Sequence, residues 1–396
     1  MKDYWTARDL LDMLSTQDYD PNFLARVKET KTRPETQQNN LFSPSGIPLT
    51  ESTTPDGSSD FHQNDSSSEL LWLTDSLTKD NSGVSADMET AKRILPTQKH
   101  KSFFPSDLPC AELAIFKDSS FFRRNGSTSV LPSPTEVLAE AHRRGLRAEL
   151  DQLHYPLLGL TVKFGYNVST TEGQCLWAVR QSLGNAVPVP EVHGWTKEEE
   201  VGYIYMEYIP GETLSNGWDD LSDSEKRDTC HQLRVMVGHL RTIQQLNGER
   251  FIGTVSCQAL LDRAFITSIV PMGPFASVAE FHDLFVKLPH LKAESLSDSP
   301  HPFGGELPEN IPIVFTHADL HRSNIIISSA IEERSPRIKA LIDWGQSGWY
   351  PIYWEYCKAL WTAHPEEEWR TTYIPLFLEH FHCFNFWDYF LIAIGV

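Results

Sequence analysis

The sequence predicts an α+β chain in which a strand-rich half is followed by a helix-rich half. Between Leu158 and Tyr208 the apolar residues fall in short runs broken by Gly, Pro and charged clusters, as strands do. Beyond Leu221 they recur at helical spacing behind capping signatures. A third observation sets where folded structure begins. From about Lys31 to Asp87 the chain is dominated by Ser, Thr, Asn, Asp, Gln and Pro. Such a stretch cannot bury enough surface to offset the entropy of ordering it. Residues 1–100 therefore read as a largely disordered extension, with "SELLWLTDSL" (Ser68 to Leu77) as an apolar island inside it.

Elements follow in order from about Ser102. "LGLTVKFG" (Leu158 to Gly165) reads as a strand ended by Gly. "VSTTEGQCLWAVRQSLG" reads as a helix, with Ser169 and Glu172 as a capping box and Gly184 as its stop. Two strands follow, joined by a charged turn at Lys197 to Glu200, the second running from Val201 to Tyr208. A long helix opens on Ser222 and Glu225, and its core face is Cys230, Leu233, Val237, Leu240 and Ile243. Ser277 and Glu280 open another, carrying Phe281, Leu284 and Phe285. A hairpin lies near the C-terminus, and "WYPIYWEYCKALWTA" reads as an aromatic helix after it.

Charge and cysteines bound the function. Of 396 residues, 34 are Lys or Arg and 53 are Asp or Glu, a net charge of −19. Nucleic acid and anionic membranes are excluded as main partners, because both need clustered cations. A cationic small acceptor is compatible. The six cysteines are scattered with no C-x-x-C, which argues against zinc and for reduced thiols in a cytoplasmic protein. "MKDYWTARDLLDML" lacks a signal-peptide pattern, and no apolar run reaches the ~18 residues needed to span a membrane.

The chemistry is concentrated in "FTHADLHRSNIII" (Phe315 to Ile327) and in "IKALID" (Ile338 to Asp343). If the strands "NIIIS" and "IKALID" pair antiparallel, Asn324 opens one and Asp343 closes the other at the same end, about 4.8 Å apart. Asp319 lies in the loop feeding that end. Oxygen donors of this kind suit magnesium, which takes one or two carboxylates plus substrate phosphates. His317, Asp319 and Asn324 match H-x-D-x-x-x-x-N, the spacing that supplies a base and a metal ligand in phosphoryl transfer. Asp319 is the candidate base that orients a hydroxyl; Asn324 and Asp343 are the candidate metal ligands. The plainer alternative for His317, His321 and Arg322 is that they brace the loop.

"HADLHRSN" followed by "LIDWGQSGWYPIYWEYCKAL" resembles the aminoglycoside phosphotransferase and choline kinase type of small-molecule kinase, especially its large fungal branch. The resemblance covers roughly residues 103–396. It implies a two-lobed protein-kinase-like fold, with a nucleotide-binding N-lobe over residues 101–209 and a catalytic C-lobe over 210–396. It implies ATP and Mg2+ as cofactors and a small-molecule acceptor. It further implies a strand lysine paired with a helix glutamate, here Lys163 and Glu172. Glu172 has the rival role of cap, and Lys163 could simply point outward. "MEYIPGETL" resembles the hinge, where backbone groups of Glu207, Tyr208 and Ile209 would meet adenine.

Two departures stand out. The family usually has Gly where this chain has Ala318, which is tolerable if the backbone there is not left-handed. No G-x-G-x-x-G precedes Lys163; "RRNGSTSVLPSP" offers hydroxyls instead, and the helix-like "PTEVLAEAHRRGLRAELDQL" follows. These departures leave a second reading, a catalytically silent member that binds nucleotide or a protein partner through its N-terminal extension. A third reading, a hydrolase with His317 and His321 on zinc, needs both on one helix face. Trp349, Tyr350, Tyr353, Trp354 and Glu355 read either as an acceptor pocket for an amine or as helix core.

Overall fold

The computed structural model describes residues 102–103, 108–146, 151–245, 250–292, 303–328 and 336–396. The expected extension over 1–100, its apolar island and most of the turn between the hairpin strands lie outside them.

The first half builds one antiparallel sheet. Its strands are β1 (Ala114–Ile115), β2 (Asp151–Tyr155), β3 (Leu160–Gly165), β4 (Val192–Glu198) and β5 (Val201–Glu207), arranged in the order β1-β4-β5-β3-β2. Side chains alternate between the faces of a strand, and β3 uses this fully. Leu160, Val162 and Phe164 join Tyr203 and Tyr205 of β5 on one face, packed against helices α1 (Ser120–Asn125) and α2 (Pro134–Arg143). Lys163 points to the opposite face. There, α3 (Thr170–Leu183) lies against the sheet with Cys175, Leu176 and Val179 buried.

The helix-like stretch Pro134 to Leu153 proves to be two elements. A capping box at Ser133 and Glu136 starts α2, and β2 follows beyond residues 147–150. α2 covers the outer face of the sheet through Val137 and Ala141 rather than replacing its strands. The hydroxyls of this region serve helices: Ser129 Oγ donates to Asn125 O and Ser133 caps α2.

The second half is mainly helical. α4 (Asp223–Leu240) starts on the predicted capping box and buries Cys230, Leu233, Val237 and Leu240; Ile243 is buried just beyond its end. α5 (Val278–Phe285) starts on Ser277 as expected. Short strands are embedded among the helices. β6 (Glu212–Thr213), β9 (Ile325–Ile327) and β10 (Ile338–Leu341) form one sheet, ordered β10-β9-β6. β7 (Gly253–Thr254), β8 (Ile313–Thr316) and β11 (Gly348–Pro351) form another, ordered β8-β11-β7. Helices α6 (Trp354–Trp361) and α7 (Phe384–Ile394) complete the C-terminal part. The chain thus has the two-lobed, protein-kinase-like α+β architecture.

The aromatic stretch is core. Trp349 and Tyr350 lie in β11, not in a helix, and Trp349, Tyr350, Tyr353 and Trp354 are 0–3% exposed. Trp354 stacks on Tyr350 at 5.2 Å and on Phe265 at 5.5 Å. Each such ring removes enough apolar surface from water to contribute ~1.5–3 kcal/mol. None of them is available to line an acceptor pocket.

The lobes meet where the site forms. Gly211, just after the predicted hinge, has φ +145, and a Cβ there would lie 2.4 Å from Ile327 O. β6 then pairs with β9. The nucleotide-side chain segment is therefore joined directly to the hairpin that carries the catalytic candidates.

Candidate active site

The hairpin forms as its sequence predicts. Ile325 faces Leu341 and Ile326 faces Ala340 across an antiparallel pair. Ile342 N–H donates to Asn324 O at 2.9 Å, so Asn324 and Asp343 share one end. Asn324 Nδ2 donates to Asp319 O at 2.9 Å and to Asp319 Oδ2 at 3.0 Å. This fixes the amide: its nitrogen is spent on Asp319, and its oxygen is the atom left for a cation.

Lys163 joins the same cluster from the sheet. Its Nζ donates to Glu172 Oε1 and Oε2 at 2.8 and 2.7 Å, and to Asp343 Oδ1 at 2.7 Å. Burial alone would lower the ammonium pKa, but the carboxylates of Glu172 and Asp343 more than reverse that. Burial would raise Asp343, and Lys163 outweighs it, so that carboxyl is held below its usual range. The capping box is half wrong. Ser169 does cap α3, through Thr171 N–H, but the Glu172 side chain turns inward to Lys163. A buried ammonium is far costlier to leave unpaired than a helix N–H near solvent, so the ion pair wins.

The loop before Asn324 is strained and braced. Ala318 has φ +64 and Asp343 has φ +65. The condition for easy replacement of Gly by Ala at 318 is thus not met, since a left-handed Ala costs ~1–2 kcal/mol. Glu355 on α6 supplies compensation: its carboxylate accepts from His317 N at 2.8 Å and from Ala318 N at 3.2 Å. Burial raises Glu355 to about 7 against the pull of these N–H groups and of Arg241. His317 is fully buried. It accepts from Asp319 N at Nδ1 and donates from Nε2 to Ile342 O at 3.1 Å, which defines the neutral Nε2–H tautomer. Burial lowers its pKa to about 4. With both ring nitrogens engaged, His317 cannot share zinc with His321, which caps its own turn through Ser323 N. That hydrolase reading is overturned. Arg322 braces the loop as well, bonding Glu367 and lying 5.2 Å above the Trp218 ring.

Asp319 itself is half-buried, and burial raises its carboxyl to about 6. At neutral pH it is mainly a carboxylate able to accept a proton. Beneath the site lies a pair that the sequence did not reveal. Lys358 Nζ donates to Asp262 Oδ1 at 2.6 Å, and Trp354 Nε1 donates to Asp262 Oδ2 at 2.8 Å. The available signal was two charges, Glu355 and Lys358, inside an otherwise apolar aromatic run. Such charges are kept only where buried partners meet them.

At the hinge, Glu207 N–H donates to Glu191 O at 2.8 Å and Tyr208 N–H to Gly159 O at 3.0 Å. Two of the three expected amides are thus used within the protein, and among the described residues none accepts from that of Ile209.

The residues present suit magnesium and a phosphate chain. Lys163 meets two carboxylates, those of Glu172 and Asp343, and Asp319 stands at the same hairpin end, held by Asn324. The remaining donors, the Asn324 amide oxygen and the half-buried Asp343 carboxylate, are hard oxygens.

Among known proteins, the phosphotransferase enzyme family matches residues 172–387. Solved structures similar to this chain include a thermostable mutant of aminoglycoside phosphotransferase APH(4)-Ia in its apo form, at 16% identity and a TM-score of 0.41, covering 65% of this chain and 87% of that one. Another is aminoglycoside-3'-phosphotransferase of type VIII, at 17% identity and a TM-score of 0.39, covering 78% and 99%. A third is the APH(4)-Ia mutant in ternary complex with ADP and hygromycin B, at 15% identity and a TM-score of 0.37, covering 60% and 78%. No curated protein matches. Matched over more than half its length and carrying the site just described, the chain belongs to the phosphotransferase enzyme family.

Proposed function

We propose that this protein transfers a phosphoryl group from ATP, with Mg2+, to a hydroxyl of a small molecule. The observation that carries the reading is one cluster: Asp319 held by Asn324 at the hairpin end where Asp343 meets Lys163 and Glu172. Each residue has a role its environment suits. Asp319 takes the hydroxyl proton. Asn324 fixes the Asp319 carboxylate through its amide nitrogen and offers its oxygen, with Asp343, to the metal. Lys163, kept cationic by Glu172, neutralises phosphate oxygens. Bound magnesium supplies charge neutralisation across the phosphates. His317 holds the Asp319 backbone, and Glu355 holds the strained turn before it. Backbone groups of Glu207, Tyr208 and Ile209 border the adenine site, with the Ile209 N–H as the donor. We place the boundary between the nucleotide-binding lobe (101–209) and the catalytic lobe (210–396) at that hinge.

Melting curves with and without MgATP, followed by an alcohol panel, test this. Magnesium-dependent stabilisation by ATP and turnover lost in Asp319→Asn support it; unchanged turnover in both Asp319→Asn and Asp343→Asn would rule out the assignments. One observation favours a second reading, a silent nucleotide or partner binder: the third Lys163 bond goes to Asp343, which a phosphate must displace. Turnover of any acceptor dismisses that alternative.

A further inference from the structure

Three successive residues near the start of α3 face three directions, since neighbours on a helix are about 100° apart. Glu172 turns to Lys163 on β3. Gly173 lies against Trp195 of β4, and a Cβ there would stand 2.7 Å from the indole ring. Gln174, itself buried, donates from Nε2 to Pro109 O at 2.9 Å. The sheet takes the first two directions. The third is taken by a segment of chain that comes before the sheet.

That segment, residues 108–111, is anchored at both ends. Leu108 is buried and joins the apolar cluster that contains Cys175, Leu176 and Val179 of α3. Ala111 O accepts from Trp195 Nε1 at 2.9 Å, and the chain then enters β1, where Ala114 faces Trp195 across the strand pair. Upstream, Ser102 and Phe103 pair in parallel with Gln244 and Gln245, just beyond the end of α4 in the helical half. The described chain therefore starts on one lobe and reaches the other at α3, and residues 1–101 precede these contacts. Securing β1 to the sheet needs only the Trp195 side. The bond from Gln174 belongs to α3, and a buried amide is kept where it has such a partner.

We propose that residues 108–111 form a strap that fixes α3 in place and so keeps Glu172 on Lys163, and that displacing the strap weakens the binding of MgATP. Leu108 and Gln174 are positioning residues, acting through Glu172. The effect on nucleotide rests on the phosphotransfer reading; the hold on α3 does not.

The test uses the full chain with Gln174→Met, which keeps length and helix propensity without the donor, and with Leu108→Ala, which removes the buried anchor of the strap. If Leu108→Ala melts early, Gln174→Met carries the comparison. Hydrogen exchange without nucleotide reads α3 directly. Amides of residues 173–178 should exchange ~3- to 10-fold faster in the variants, the scale of one lost hydrogen bond. Calorimetric titration should show the Kd for MgATP raised by a similar ~3- to 10-fold. In a Glu172→Gln background the same substitutions should leave that Kd unchanged, because no ion pair is left for the strap to keep. A contact with a merely structural role would cost as much in both backgrounds. Exchange in α3 that matches wild type, or an equal loss of affinity with and without Glu172, overturns the proposal. If the wild type binds no MgATP, the phosphotransfer reading falls, and the exchange result alone decides whether the strap holds α3.

Discussion

At the scale of single residues the proposed reaction depends on Asp319, and its surroundings set what each substitution should do. Asp319→Asn keeps the shape and the bond from Asn324 but removes the proton acceptor. Turnover should fall about 100- to 10,000-fold while MgATP stabilisation of the melting temperature is retained. Ala318 gives a different expectation. It is left-handed and fully buried, so Ala318→Gly relieves ~1–2 kcal/mol of strain against ~0.5–1 kcal/mol of added chain entropy. A small net stabilisation in urea unfolding is expected; a loss above ~1 kcal/mol would show that the Cβ packing matters more. The spacing of His317, Asp319 and Asn324 was fully legible in the sequence because it is local. The left-handed backbone at Ala318 was not, since Ala ordinarily avoids it and only the two bonds to Glu355 make it tenable.

At the scale of elements, α6 serves the loop rather than the acceptor. Its Glu355 grips the turn before Asp319 and its Lys358 is buried against Asp262. Both ends of the Asp262–Lys358 pair are essentially inaccessible, at 0% and 1% side-chain exposure. Lys358→Met should therefore cost ~3–5 kcal/mol in chemical denaturation, because it strands a carboxylate. Adding Asp262→Asn should recover part of that loss. Strictly additive losses would show that the pair does not act as a unit. The capping boxes at Ser222 and the helix start at Ser277 were readable from sequence. The box at Ser169 holds only in its first half: Ser169 caps Thr171 N–H, whereas Glu172 takes the other role expected of it and pairs with Lys163, nine residues earlier on a neighbouring strand.

At the scale of the whole molecule, buried histidines make stability depend on pH. Burial lowers His193 to about 4, His282 to about 3 and His317 to about 4. Their folded values lie below the ordinary ~6.5, so as pH falls through that value the unfolded chain takes up protons and the folded one does not. Stability from each neutral histidine is full above ~6.5 and declines toward its folded pKa. His282, bonded to Tyr353 at 2.7 Å and far in sequence from the site motifs, isolates the effect. The stability gap between wild type and His282→Asn should shrink by ~1.4 kcal/mol per pH unit below about pH 6. A gap constant from pH 7 to 4 would contradict it. Among the described residues no helix is long and apolar enough to cross a membrane.

The sequence by itself determined the strand-rich and helix-rich halves, the hairpin and which residues stand at its open end, because periodicity, capping and short spacings are properties of neighbouring residues. The tertiary structure alone decided that the aromatic run is core and that Glu355 and Lys358 are internal braces. Each of these depends on a partner far along the chain, and the cost of leaving a buried charge unpaired selects that partner only once the lobes are packed.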